Sequence, residues 1–371
     1  MIMNQRSVSS DMAIFAKRLK EYKRLIDDDI ATYAKAIEKT TLQYYGANAR
    51  LATDAYLQIL ARGGKRIRGA LVMTGYEMCG GTDTRMIVEA ARAIEMIHAY
   101  ILIVDDIQDR SMSRRGGPTA HVALADYHRQ HQLAGESAHF GISMALNSAI
   151  AGAHSASMNL ANLNNVEEEL RIKVVSIVNR TMVVTAHGQS NDIMNEVAAE
   201  TSREDVERTM EWKTAHYTFL NPLCTGMVLA GADCHATDAI AEYALQAGKA
   251  FQITDDILGT FGTEFESGKS PLDDIREGKR TILTIYALEH AETSDKNFLI
   301  HMLGNAQLTP AEFARCKDIL VSSGALDYAK KQATTRVQAA IKSLDGAYGG
   351  WNKDGVQFLR GLAEYLQERQ S

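Results

Sequence analysis

The amino-acid sequence predicts an all-α protein, and three observations carry that reading. Prolines occur only at Pro118, Pro222, Pro271 and Pro310 in a chain of 371 residues, so long tracts run without a residue that breaks helices. Within those tracts apolar side chains recur at steps of three and four, with little of the alternation of a half-buried strand. Helix-start signals also repeat, and the breaks between them mark about ten helices.

Composition narrows the class. A chain that is 46% hydrophobic and 23% charged is globular and can bury a sizeable core, whether as one large domain or two ordinary ones. A net charge of −6 argues against general nucleic-acid binding, so the basic clusters have to be read locally. Cys79, Cys224, Cys234 and Cys316 are scattered without a Cys-x-x-Cys pair. That pattern suits a reducing compartment and carries no zinc or redox signature. The opening MIMNQRSVSSDMAIFAKRLK lacks the apolar core of a secretory signal. No window approaches the roughly 20 apolar residues of a membrane span. The expected location is the cytoplasm.

In chain order, chemistry begins with ARGGKRIRGAL, residues 61–71. Gly63 and Gly64 permit close backbone approach. Lys65, Arg66 and Arg68 follow at an expected helix start, where free N–H groups already favour anions. Arginine forks suit phosphate. The Gly-x-x-x-x-Gly-Lys-Ser/Thr spacing of a Walker loop is absent. A basic surface turn is the plain alternative.

Next, Asp83 or Thr82 is placed to cap a helix reading MIVEAARAIEMIHAYILIVDDIQD. Ile87, Ala90, Ala91, Ile94, Ile97 and Ile101 keep helical spacing, over a length of roughly 36 Å. The helix ends in Asp105, Asp106 and Asp109. The first and last are four residues apart, so both project from one face. Such clustered carboxylates repel, and a hard cation such as Mg2+ removes that penalty while keeping sites for phosphate oxygens. A solvated acidic helix end would look similar, but the apolar ILIV before it implies burial up to the cluster. Within ten residues the chain turns basic, with Arg110, Arg114 and Arg115.

Thr201 with Glu204, and Thr309-Pro310 with Glu312, read as further helix starts. Between them FQITDDILGTFGTEFESGK echoes the first acidic tip. Gln252, Asp255, Asp256 and Gly259 fall on one helical face, and Gly259 stands where the first cluster has its last carboxylate. Two helices facing each other across one cavity would place both clusters around a shared diphosphate. Further basic groups lie at Lys213-Thr214 and at Lys269 and Lys279. The histidines, including His121, His128, His131 and His139, show no ligand spacing, and the methionines and aromatics read as packing.

The pieces GGKRIRG, HAYILIVDDIQDRSMSRRG, GQSND, KTA, FQITDDILG and GKSPLDDIREGKRT together resemble the trans-isoprenyl diphosphate synthases, the polyprenyl synthetase family. They fall in the family's order over roughly residues 60–285, and the flanks fit its helical ends. The resemblance implies one isoprenoid-synthase domain over residues 1–371, a bundle of long helices around a deep central cavity, usually a homodimer. It implies a prenyltransferase that joins isopentenyl diphosphate head-to-tail to an allylic diphosphate (dimethylallyl, geranyl or farnesyl) and releases pyrophosphate. Lys65, Arg68, His98 and Arg115 resemble the isopentenyl diphosphate site. Asp105, Asp109 and Asp255 resemble the ligands of Mg2+, three ions in all, with Asp106 and Asp256 in support. Arg114, Lys213, Thr214, Gln252, Lys269 and Lys279 resemble the holders of the allylic diphosphate. Gly259 departs from the usual last aspartate, as in a subset of the family, and ALNSAIAG lacks the Gly-Asp pair many members carry.

The resemblance also implies that bulk just upstream of the first acidic cluster closes the floor of the tail channel and sets product length. Tyr100, with Ile101 beside it, lies about 7.5 Å down the helix from Asp105. A single aromatic there resembles enzymes making the C20 product geranylgeranyl diphosphate; C15 or longer chains stay open. Two rival readings remain. A class I terpene cyclase shares the acidic helix but binds one diphosphate, and its second metal motif is only half present in NDIMNEVAA, where Asn195 and Ala199 replace Ser and Glu. A non-catalytic partner subunit would generally have degraded motifs that this chain keeps.

Overall fold

Ser9 starts the first helix by accepting a hydrogen bond from the Met12 amide at 3.1 Å, the usual satisfaction of a free helix-end donor. From there the computed structural model describes residues 9–263 and 270–368. Among the described residues the chain is almost entirely helical. Its elements are α1 (Ser10–Ala61), α2 (Ile67–Met78), α3 (Thr84–Gln108), strands β1 (Ser113–Arg114) and β2 (Gly117–Pro118), α4 (Ala120–Gln130), α5 (Ser137–Ala161) and α6 (Glu168–Val197). There follow α7 (Arg203–Thr209), a π-helical segment (Met210–Leu220), α8 (Asn221–Leu229), α9 (Cys234–Ala239) and α10 (Ala241–Phe261). The C-terminal part comprises α11 (Asp273–Glu277), α12 (Ile282–His290), α13 (Thr293–Met302), α14 (Pro310–Ser322), α15 (Ala325–Ser343) and α16 (Lys353–Glu368).

The all-α expectation holds, while the count of about ten helices is too low. Short helices such as α7, α9 and α11 carry too few residues to show a hydrophobic period. Helix starts come out as follows. Asp83, not Thr82, caps α3, its carboxylate accepting from the Met86 amide at 3.0 Å. Thr309 and Glu312 form a reciprocal capping box with Pro310 in the first turn of α14. The expected Thr201–Glu204 start is off by one, because Ser202 and Asp205 form the box at α7. Thr201 instead donates its hydroxyl to Asn195 O.

Of the apolar positions read on α3, Ile87, Ala90, Ala91, Ile94 and Ile97 are buried, while Ile101 is half-buried and borders the cavity. Two apolar clusters fill the molecule, one drawn from α1–α6, the π-helical segment, α8–α10, α15 and α16, the other from α7, the π-helical segment and α10–α15. They are continuous through two helices. On α10, Tyr243 to Ala250 belong to the first cluster and Ile253 and Ile257 to the second. On α15, Val337 and Ala340 join the first while Ala325, Ala329 and Ala333 join the second. Rigid helices crossing both clusters make one bundle, with α3 and α10 ending beside the same hollow. No helix among the described residues is long and apolar enough to cross a membrane.

Candidate active site

A cavity of about 1290 Å3 opens at the ends of α3 and α10 and is bordered by both Asp105 and Asp255. One drug-sized ligand occupies about 300–1000 Å3, so there is room for two substrates. Lys65, Arg68, His98, Tyr100, Ile101, Arg114, Arg115, Lys213, Thr214, Gln252 and Lys279 border the same hollow. Residues up to 214 positions apart in the chain, Lys65 and Lys279, meet here only because the long helices return to one end.

The Gly-Gly-Lys-Arg loop shows how local sequence sets the site. Gly63 and Gly64 have positive φ of 78° and 121°, a region open to glycine. A Cβ on Gly64 would stand 3.0 Å from the Arg115 guanidinium. The missing side chain lets Arg115 lie against the loop and donate to Gly63 O. Arg115 itself sits in a two-residue hairpin turn with Gly116, at φ 52° and 72°, between the paired residues Arg114 and Gly117. Positive φ at both central residues suits the twist of a tight hairpin. Among the described residues this small hairpin is the exception to the all-α reading.

Arg68 donates to Tyr217 Oη at 2.5 Å and Thr218 Oγ1 at 2.8 Å, and its buried Nε has no partner. A fixed guanidinium with a donor left over suits an incoming anion. Lys65 lies over the Tyr365 ring at 5.0 Å. Arg66 is different from the expectation: its guanidinium is held by Asp27 at 2.8 Å, Glu95 at 3.3 Å and Leu60 O at 2.8 Å. With left-handed backbone at φ 54°, its guanidinium is committed to these internal partners and braces the loop at the cavity's edge.

His98 is buried beneath these cations. Burial first, then the charges of Arg68, Arg115, Arg114 and Arg66, hold its pKa well below the ordinary 6.5, so the ring is neutral. An unfolded chain protonates histidine near pH 6.5. As pH falls below about 6.5 the unfolded state therefore takes up a proton that the native state refuses, and stability drops. Substituting His98→Gln is expected to flatten this acid limb. Thermal melts of both proteins from about pH 7.5 to 5 check it, and parallel curves would refute it.

The acidic tip of α3 divides its work. Asp106 is fully buried, and Arg114 Nε donates to its Oδ1 at 2.8 Å; burial outweighs that arginine and pushes its pKa up to about 6. Arg114 also lies 3.5 Å from Asp105. Asp109 caps α3 and pairs with Lys279 at 2.8 Å. Asp105 borders the cavity 3.4 Å from Lys213. On α10, Gln252 Oε1 accepts from Thr214 Oγ1 of the π-helical segment at 2.6 Å, and Gln252 Nε2 donates to Asp256 Oδ1 at 2.7 Å. Burial, then the neighbouring Asp274, lifts Asp256 to about 7. Asp255 faces the cavity while Asp256 stands behind it. Lys269 lies outside the described residues.

Gly259 has a packing reason. A Cβ there would come within 2.5 Å of Asp274 Oδ2, so a carboxylate from α11 already occupies the space beside the missing aspartate.

Two features escaped the sequence reading. Asp192, inside GQSND, pairs with Lys213 at 2.6 Å; Lys213 and Lys279 overcome its burial and hold its pKa below the usual carboxylate value. The π-helical segment carries Lys213, Thr214 and Tyr217, and local composition gives no period for such a wide turn. A Cβ on Gly188 would reach 2.3 Å from the Lys213 amide, so α6 approaches that segment backbone to backbone. The GQSND spacing was the available signal for both.

Asp105 and Asp255 are hard oxygen donors bordering one cavity. Among the described residues no three His, Cys, Asp or Glu side chains converge as a ready-made cage. The two cavity carboxylates themselves suit Mg2+, which takes one or two carboxylates and completes its shell with phosphate oxygens and water.

A sequence model of the polyprenyl synthetase family matches residues 49–320. The chain belongs to the polyprenyl synthetase family. It is a prenyltransferase of that family's divalent-metal-using type. It is 30% identical to the geranylgeranyl diphosphate synthase of Saccharolobus solfataricus, over 92% of this chain and 98% of that one. It is also 30% identical to the geranylfarnesyl diphosphate synthase of Aeropyrum pernix, over 85% and 94%. A solved geranylgeranyl pyrophosphate synthase from Corynebacterium glutamicum, complexed with isoprenyl diphosphate and magnesium, superposes with a TM-score of 0.89. It shares 28% identity, covering 95% of this chain and 99% of that one. The cyclase and non-catalytic readings are not favoured, and the prenyltransferase keeps a second cationic cluster at Arg68 and Arg115 that a one-diphosphate enzyme does not require.

Proposed function

We propose that this prenyltransferase condenses isopentenyl diphosphate with an allylic diphosphate to make geranylgeranyl diphosphate. One observation carries the reading: two separate cation groups border a single cavity whose acidic residues come from two different helices. Lys65, Arg68 and Arg115, with neutral His98, hold the diphosphate of the C5 unit. Lys213, Arg114 and Lys279, with Thr214 and Gln252, hold the allylic diphosphate, joined by Lys269. Asp105, Asp109 and Asp255 would hold Mg2+, three ions, which would supply charge neutralisation to the departing pyrophosphate.

The residues then do the following. Lys213 is kept charged because Asp192 and Asp105 outweigh its burial. Lys213 and Arg114 are thus preorganised donors where negative charge grows as the allylic C–O bond breaks. The cavity walls exclude water from the allylic cation, and the double bond of the C5 unit attacks it. The proton released from that unit goes to pyrophosphate, so no side-chain base is required. Incubating the protein with Mg2+, labelled isopentenyl diphosphate and primers of each length tests this. Chain elongation supports it; incorporation of no label with any primer refutes it.

Tyr100 and Ile101 border the cavity one to two turns below Asp105, where a growing tail would arrive. Substituting Tyr100→Ala is expected to lengthen the products by at least one C5 unit, read by chromatography of the dephosphorylated alcohols. An unchanged profile would dismiss Tyr100 as the floor.

The working unit is a homodimer in the cytoplasm. α5 buries Gly141, Ala145, Ala149 and Ala156 on one face yet exposes Ile142, Leu146, Ile150 and Met158 on another. A helix apolar on both sides is normally covered on both, and a second copy supplies that cover.

A further inference from the structure

Tyr100 is not the last aromatic ring beneath the cavity. Tyr56, on α1, is 5% exposed and is not among the residues bordering the hollow. Its hydroxyl donates to Met96 O at 2.9 Å. Met96 stands four residues before Tyr100 on α3, which is about 6 Å further from the acidic tip. The ring reaches α5 because residue 152 is glycine: a Cβ there would come within 2.2 Å of Tyr56 Cε2. Three helices therefore pin one tyrosine a helical turn below another.

We propose that Tyr56 is a second chain-length determinant, a lower floor that stops the prenyl tail once the Tyr100 ring is removed. This rests on the reading of the cavity as the tail channel. A ring held by a hydrogen bond on α3 and by contact with α5 cannot swing aside as a surface side chain would. Space vacated by Tyr100 thus ends at Tyr56. Removing the Tyr56 hydroxyl leaves no orphan, since Met96 O also accepts the helical bond from the Tyr100 amide. A smaller apolar side chain there loses packing but strands no polar group.

The test compares Tyr100→Ala with Tyr100→Ala/Tyr56→Leu and Tyr100→Ala/Tyr56→Met. Each is confirmed folded by thermal melting and assayed with Mg2+, isopentenyl diphosphate and a farnesyl primer. The double variants should extend products by at least one further C5 unit beyond Tyr100→Ala. Tyr100→Ala/Tyr56→Phe, which retains the ring, should match Tyr100→Ala. So should Tyr100→Ala/Tyr243→Leu, which removes a buried tyrosine bonded instead to Leu359 O. If Tyr100→Ala lengthens products and no folded double variant adds to it, the lower floor is refuted while the tail channel stands. If Tyr100→Ala itself changes nothing, the tail-channel reading falls first.

Discussion

Substituting Asp105→Asn is expected to lower kcat/KM for condensation by about 100- to 1000-fold while barely moving the melting temperature. Asparagine keeps the shape of the side chain but loses the charge a hard cation needs. The fold does not depend on that charge. Asp105 and Lys213 are about one-fifth exposed, and a partly solvated pair at 3.4 Å contributes little. Removing Asp105 also relieves its repulsion of Asp106. Steady-state kinetics across a Mg2+ titration, with a thermal melt alongside, read both halves. Turnover equal to the unsubstituted enzyme would end the assignment of the α3 tip as a metal site.

Substituting Lys213→Ala should act on catalysis and stability together. It removes a preorganised cation facing the leaving group, for a loss of about 100-fold in kcat. It also leaves Asp192 beside Asp105 without its ammonium partner at 2.6 Å. A fully buried pair broken this way loses about 3–5 kcal/mol; these side chains keep some contact with cavity water, so about 2 kcal/mol is expected. Adding Asp192→Asn removes the stranded charge. The double variant should regain most of the stability and none of the turnover. Equal stability in both would show that Asp192 and Lys213 do not rely on each other.

Much of the site was legible because its chemistry needs clustered charge at helix ends. Asp105, Asp109 and Asp255 stood out where apolar helices stop, and Gly63-Gly64 stood out as a loop open to close backbone approach, which Arg115 turns out to fill. Direction was harder to read. Lys65, Arg66 and Arg68 look alike in sequence, yet Arg66 turns inward to Glu95 and Asp27, on other helices. Asp106 and Asp109 resemble Asp105, but one is fixed by Arg114 and the other by Lys279. Such pairings join residues up to 170 positions apart, and no local pattern encodes them. Gly259 read as a lost ligand; the three-dimensional reason for its small size is Asp274. The π-helical segment was invisible for the opposite reason, since its wide turn depends on α6 pressing against it at Gly188.

The central claim is that the acidic ends of α3 and α10 share metal ions across one diphosphate. Anomalous scattering from Mn2+ in crystals grown with a non-cleavable allylic diphosphate analogue tests it most directly. Peaks between the Asp105 and Asp255 carboxylates, each also within bonding distance of phosphate oxygens, are the predicted result. An analogue bound elsewhere, with no peak near either carboxylate, would contradict it.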